Sequence, residues 1–110
     1  MLNKVFNGLD IPYKETKFKK APSDYIIYKD EKNFGGADLK IFLCDHEVTV
    51  ELYGEKIESI QKNENIIEKN LRNIGMEYQK EDRTFIEGEQ IYLTIFSFKY
   101  KEKVKTIKED

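Results

Sequence analysis

The chain's only histidine, His46, lies in the stretch HEVTVELYGE beside the acidic residues Glu47 and Glu51, a combination that could serve acid–base catalysis or metal binding. On a helix these side chains could share one face, because residues three and four positions apart are neighbours there. The alternation of apolar and polar residues from Val48 to Leu52 instead predicts a half-buried strand. In a strand His46 points with the apolar residues and Glu47 points away, so the acid–base pair is separated.

Cys44 precedes His46 by two positions and could form a thiol–imidazole pair with it. The CDHE segment between two apolar runs predicts a tight turn, with Cys44 and His46 on either side of it. Nothing nearby offers a third orienting group, and two ligands are too few for a zinc site. We therefore expect no enzymatic activity, no catalytic residues, no bound metal and no cofactor.

Composition predicts one domain spanning residues 1–110. Of the 110 residues, 36% are charged and 39% are hydrophobic, including seven Tyr and seven Phe that can supply much of a core. A single cysteine excludes an internal disulfide and fits a reducing compartment. We also expect no signal peptide and no membrane association, because no apolar run is long enough for either.

A lysine-rich segment near the start of the chain raises the question of nucleic-acid binding. Its basic and aromatic members are Tyr13, Lys14, Lys17, Phe18, Lys19 and Lys20. Rings interleaved with cations could stack on bases and hold phosphates. The formal net charge of −2 and the pI near 5.6 argue against specific nucleic-acid binding.

Periodicity in the first half of the chain predicts a short helix followed by strands. Leu2, Val5, Phe6 and Leu9 recur at helical spacing, and a first strand is expected around Tyr25 to Lys29. The segment from Glu31 to Ala37 combines charge with two glycines, so we predict a mobile loop there. DLKIFLCD then predicts a second strand, which the CDHE turn joins to HEVTVELYG as its antiparallel neighbour in a hairpin.

The second half predicts one long helix and a second hairpin. Apolar residues at helical spacing run from Lys56 to Ile74, and Gly75 occupies the position of a left-handed C-cap. Two further strands are joined across Glu87-Gly88-Glu89, and the tail from 99 to 110 is charged enough to be solvated or frayed. The predicted fold is α+β, with an antiparallel sheet of about four to five strands packed by a short N-terminal helix and one longer amphipathic helix.

The last predicted strand is apolar on both faces. Either helices cover both of its faces, or one face remains exposed for a partner subunit. Two helices suffice for one face only, which favours association. The residues predicted to contact another subunit or partner are Phe34, Gly35, Gly36, Tyr92, Phe96 and Phe98.

Four segments spread over nearly the whole chain resemble a known family. They are GLDIPYKETKFKKAPSDYIIYKDE, DHEVTVELYGE, LRNIGMEY and EGEQIYLTIFSFKY. Their succession is similar to that of the small prophage proteins that join heads to tails and terminate the tail tube in long-tailed bacteriophages. The charged tail departs from that pattern.

The resemblance implies a non-enzymatic structural protein of the virion tail and neck, assembled in the cytoplasm of the bacterial host. It implies a hexameric ring of identical subunits that contacts the tail tube protein and the neck or connector protein. Two other readings stay open from the residues alone. One is a small monomeric binding module or inhibitor of phage or prophage origin, and the other is an enzyme that uses Cys44.

Overall fold

A sheet of six strands carries two helices on one of its faces in the part of the chain that the computed structural model describes, residues 1–36 and 41–105. The elements in chain order are α1 (Leu2–Val5), β1 (Tyr13–Glu15), β2 (Tyr25–Gly36), β3 (Ile41–Gly54), α2 (Ile57–Asn73), β4 (Tyr78–Lys80), β5 (Thr84–Ile86) and β6 (Ile91–Lys105). The sheet order is β1-β2-β3-β6-β4, and β5 also pairs with β6. The α+β prediction is confirmed.

Strand β3 lies at the centre of the sheet and runs without a break through the predicted turn. It pairs antiparallel with β2 on one edge and with β6 on the other, and both ladders include Cys44 and His46. The prediction of a turn at Cys44–Glu47 is therefore wrong. Asp45 and Glu47 are exposed whereas Cys44 and His46 are buried, so the inward–outward alternation continues through a segment whose polarity imitates a turn.

Strand β2 is also longer than the sequence predicts. Residues Glu31 to Gly36 pair in register with Phe42 to Glu47, so the predicted mobile loop is wrong for these residues. Ala37 lies outside the described residues. The misreading has a physical cause: this part of β2 has a partner strand but little core beneath it, so it lacks the apolar alternation that marks a strand.

A short edge strand, β1, lies at the start of the lysine-rich segment. It pairs parallel with β2, in register from Tyr13 with Ile26 to Glu15 with Tyr28, and its three residues are exposed. The ring of Tyr13 lies 4.6 Å from the ring of Phe6, between ring centroids. The sheet is thus antiparallel except at this edge.

Helix α2 is confirmed and packs an apolar stripe on the sheet. Ile60, Ile67 and Leu71 are fully buried against it. The helix ends as predicted: Gly75 has φ +69°, its N–H donates to the carbonyl of Arg72, and the Met76 N–H donates to the carbonyl of Leu71. These two bonds form a Schellman motif, which satisfies carbonyls that the last turn leaves unpaired.

The second hairpin is confirmed as β4 and β5 against β6, with an interruption between the two short strands. Strand β6 continues to Lys105, so this part of the predicted solvated or frayed tail is paired rather than frayed, while Lys99 and residues 101–103 are exposed as expected of a solvated segment. Residues 106–110 lie outside the description. The pairing of β6 with the equally long β3 holds this charged stretch in the sheet.

The sheet extends beyond the hydrophobic core at one end. Core side chains on the two central strands end at Val48 and Phe98, whereas the strands continue for several residues. We call the continuation, residues 31–36, 41–47 and 99–105, the ribbon. The molecule measures 55 × 31 × 22 Å with a radius of gyration of 16.3 Å, above the roughly 13 Å expected for a compact chain of this length. Neither helix is long and apolar enough to cross a membrane, among the residues described.

Candidate functional site

His46 lies at the base of the ribbon, on the face of the sheet that carries the helices, with 4% of its surface exposed. Its neighbours on the same face come from the two flanking strands. In register it lies opposite Lys32 of β2 and Tyr100 of β6, and the Tyr100 ring stacks on the imidazole with centroids 4.3 Å apart and planes 4° apart. The stacking fixes the plane of the ring.

Two carboxylates bind the two ring nitrogens of His46. Nδ1 lies 2.8 Å from Oδ1 of Asp30, and Nε2 lies 2.7 Å from Oε1 of Glu102. Asp30 precedes the register partner of His46 by two residues in β2, and Glu102 follows it by two in β6. The strand prediction was right that Glu47 does not reach His46. The acidic partners come from 16 and 56 residues away.

The charge of His46 follows from these contacts. Burial alone would lower the pKa of the imidazole, but hydrogen bonds and attraction from Asp30 and Glu102 outweigh burial and raise the pKa above its usual value. Both nitrogens donate when the ring is protonated. An imidazolium between two carboxylates is therefore the favoured state of this cluster.

Cys44 extends the cluster on the same face. It is 1% exposed, and its Sγ, a ring nitrogen of His46 and a carboxylate oxygen of Glu102 all lie within 4.8 Å of one another. Burial raises the pKa of the Cys44 thiol, and the Glu102 charge raises it further. That direction is opposite to the shift that activates a nucleophilic thiol.

A cavity of about 540 Å³ opens beside these groups. Four residues of the cluster line it, namely Asp30, Cys44, His46 and Glu102. Lys32, Phe34 and the start of α1 complete the described walls. The cluster is thus reachable from solvent even though the thiol and the imidazole are buried.

A second polar cluster lies under α2 and was missed by the sequence analysis. Glu64 is 2% exposed and accepts hydrogen bonds from Arg83 Nε at 2.9 Å and Nη2 at 2.6 Å. The Thr94 hydroxyl donates to the same carboxylate, and Lys80 Nζ lies 3.6 Å from it. Burial would raise the pKa of Glu64, but these donors outweigh burial and lower it. These contacts connect α2 to the second hairpin.

The predicted partner residues fall into two groups. Phe96 and Phe98 are 0% and 4% exposed in the core, so the prediction that they contact a partner is wrong. They face the helices because α2 and α1 cover this face of β6. Tyr92 is half-buried, on the same face, with its ring 4.9 Å from that of Phe85. Phe34 is 64% exposed in the ribbon, and Gly35 and Gly36 follow it in β2.

The other face of the sheet carries apolar side chains without a helix over them, among the described residues. Ile27, Tyr53, Leu93 and Ile95 are each partly exposed there. The ring of Tyr53 stacks on that of Tyr25 with centroids 4.6 Å apart. We call this surface the open face. Of the two predicted arrangements for the last strand, the structure has the one in which a single face is covered by helices.

The aromatic rings of the lysine-rich segment pack against the protein itself. The Phe18 ring lies edge-on to Tyr25, with centroids 5.4 Å apart, and Lys14 Nζ lies 5.7 Å above the Phe18 ring. These rings are engaged within the chain rather than presented as a stacking platform for bases.

No family model matches this sequence, and a comparison with curated proteins gives no match either.

Proposed function

We propose that this chain is a non-enzymatic bacteriophage structural protein that caps the tail tube and joins the tail to the head as a ring of identical subunits. In this proposal the ring is hexameric, its partners are the tail tube protein and the neck or connector protein, and it assembles in the host cytoplasm before entering the virion. The sequence resemblance supplies the phage context, and one structural observation supports assembly.

That observation is the open face. A sheet with helices on one side usually buries its other side or presents polar residues there. Here Ile27, Tyr53, Leu93 and Ile95 are partly exposed on adjoining strands. Glu51 lies between Ile27 and Ile95 in register, so the apolar surface is centred on Tyr53, Leu93 and Ile95, and partly exposed apolar side chains grouped in this way are typical of a protein–protein contact.

The ribbon adds a second surface of suitable shape. It extends past the core and carries Phe34, whose side chain is 64% exposed. Aromatic residues are enriched in the buried centres of interfaces, and an exposed one on an extended strand pair can reach a neighbouring subunit. Phe34, Gly35 and Gly36 are therefore retained as candidate interface residues, whereas Tyr92, half-buried on the helix-covered face, lies on neither surface.

Association can be tested by sedimentation over a series of concentrations, and capping by electron microscopy with tail tubes assembled from a purified phage tail tube protein. We expect weak self-association in dilute solution and rings at high concentration or on tube ends, because a template raises the local concentration. Ile95→Lys should abolish both by placing a charge on the open face. Gln61→Lys, which adds the same charge on the exposed side of α2, is the matched control.

The ribbon has its own variant. Phe34→Ala should change the free energy of unfolding by no more than about 0.5 kcal/mol, the usual scale for an exposed side chain, while impairing capping. Phe85→Ala removes a comparably exposed ring, 41% exposed, from the far end of the sheet and should leave capping intact. Monomer at every concentration with no binding to tubes would contradict the proposal and favour a monomeric binding module or inhibitor.

A further inference from the structure

The cluster at the base of the ribbon has a donor set that the assembly role does not use. A thiol, an imidazole and a carboxylate from β3 and β6 converge within 4.8 Å, beside a cavity open to solvent. Cysteine sulfur, histidine nitrogen and acidic oxygen are the three ligand types that zinc takes in proteins. We propose that Cys44, His46 and Glu102 bind a single divalent transition metal ion, with zinc as the ion that this donor set fits best.

The spacing of the donors suits a tetrahedral ion. Bonds of about 2.0–2.3 Å to zinc place neighbouring ligand atoms roughly 3.3–3.8 Å apart. The widest separation here, at most 4.8 Å, exceeds that range by up to about one ångström, whereas His46 Nε2 and Glu102 Oε1, 2.7 Å apart, are closer than the range. Glu102 can close the gap by rotation, since its side chain is 55% exposed. Three protein ligands leave the fourth position for a water molecule from the cavity.

Asp30 prepares the histidine for this role. Its carboxylate holds Nδ1 at 2.8 Å, which leaves Nε2 directed toward Glu102 and the cavity. A carboxylate on the far nitrogen of a ligating histidine fixes its tautomer and orientation and increases its basicity. Stacking on Tyr100 holds the ring in the same plane. These supports are what distinguish a built metal site from an accidental meeting of polar side chains.

The formal charges around the proposed site also sum to zero when a divalent ion is bound. Asp30, Glu102 and a Cys44 thiolate carry three negative charges, Lys32 opposite His46 carries one positive charge, and a divalent cation neutralises the remainder. In the metal-free state a proton on Nε2 bridges His46 and Glu102, whose atoms are 2.7 Å apart. Binding replaces that proton and the thiol proton with the ion, so both are released to solvent.

The sequence predicts no metal because Cys44 and His46 alone are only two ligands. Glu102 is 56 residues from His46 and joins the set only through the pairing of β3 with β6. The third ligand and its supporting carboxylate therefore change the expectation. This inference does not rest on ring assembly, although Phe34, a candidate assembly residue, lines the same cavity as the cluster.

The test is a titration of the full chain, freed of metal by dialysis against a chelator, with zinc chloride in competition with a chromophoric zinc chelator. We expect one zinc per chain. Cys44→Ser and Glu102→Gln should each weaken binding by about 100-fold or more, and Asp30→Asn by about 10- to 100-fold. Cobalt substituted for zinc should give a thiolate-to-cobalt charge-transfer band that Cys44→Ser abolishes.

Asp45→Asn is the matched control, because Asp45 lies between Cys44 and His46 in sequence but is exposed on the opposite face of β3. It should bind zinc as the parent does. Thermal melting of the metal-free variants identifies any that fail to fold, and Glu102→Gln, at an exposed position, keeps the test valid if Cys44→Ser unfolds. Absence of stoichiometric zinc in the parent, or an affinity unchanged in folded Glu102→Gln, would overturn the proposal.

Discussion

Replacing Arg83 with alanine should lower the free energy of unfolding by about 3 kcal/mol, because the change leaves the buried carboxylate of Glu64 without its main partner. Glu64 is 2% exposed, and two of its hydrogen bonds, at 2.9 and 2.6 Å, come from the Arg83 guanidinium. Removing one partner of a buried ion pair typically costs about 3–5 kcal/mol. The lower end applies because Thr94 and Lys80, the latter at 3.6 Å, still face the carboxylate.

Urea denaturation at neutral pH measures this effect. With a slope of about 2 kcal/mol per molar urea, a loss of about 3 kcal/mol moves the midpoint down by roughly 1.5 M. The chain's other arginine provides the control. Arg72 lies in the last turn of α2 and is exposed, so Arg72→Ala should shift the midpoint far less.

The pH dependence gives a second, independent readout. In the parent the pKa of Glu64 is lowered, so its stabilising contribution is present above the unfolded pKa of about 4.3 and is lost as pH falls through the folded pKa. In Arg83→Ala burial acts with fewer donors to oppose it, and protonation at low pH relieves the unpaired charge. The stability gap between parent and variant should therefore narrow as pH falls from 7 to about 4.

Two results would refute this reasoning. One is a midpoint for Arg83→Ala within the range of Arg72→Ala, which would mean that solvent or Lys80 compensates the carboxylate fully. The other is a stability gap that stays constant with pH, which would assign the loss to packing of the arginine stem. Adding Glu64→Gln to the variant should recover stability, since it removes the unpaired charge.

Three further substitutions test the packing. Leu71→Ala should cost about 2–5 kcal/mol in urea denaturation because Leu71 is fully buried in the α2 stripe. Val50→Asp should unfold most of the protein at 25 °C by circular dichroism, whereas Glu51→Gln on the open face should melt near the parent, and equal melting would contradict the assigned faces. Gly75→Ala should cost about 1–2 kcal/mol in the same denaturation assay, because φ of +69° is unfavourable for a residue with Cβ; no loss would show that the C-cap relaxes.

Sequence patterns predicted the elements that have a core beneath them. Helix α2 and the strand from Val48 to Leu52 bury apolar residues at regular spacing, and both were predicted correctly. The C-cap at Gly75, which ends the helix, was predicted as well. Most of the ribbon was predicted as a turn, a loop and a solvated or frayed tail, and only the DLKIFLCD segment was predicted as a strand. Its strands are stabilised by pairing with one another, and that pairing leaves no local apolar period in the sequence.

The two polar clusters show a second limit. Asp30, His46 and Glu102 meet only because three strands pair in one register, and no local pattern specifies that register. Glu64 did leave a signal. It lies four residues after Ile60 and three before Ile67, on the apolar stripe itself, where an acidic residue requires a buried cationic partner.

The central pairing of β3 with β6 also has a consequence for synthesis. Their partner residues are far apart in sequence, as His46 and Tyr100 are, so contact formation must wait until β6 has been synthesised. At about 5–20 residues per second, β3 leaves the ribosome's catalytic centre roughly 3–10 s before β6 is complete. During that interval the nascent β2–β3 hairpin has one edge of unpaired backbone groups, a template for pairing with another nascent copy. A truncated messenger RNA that ends before the codon for Ile91 would yield a chain without β6, in which this edge of β3 stays unpaired.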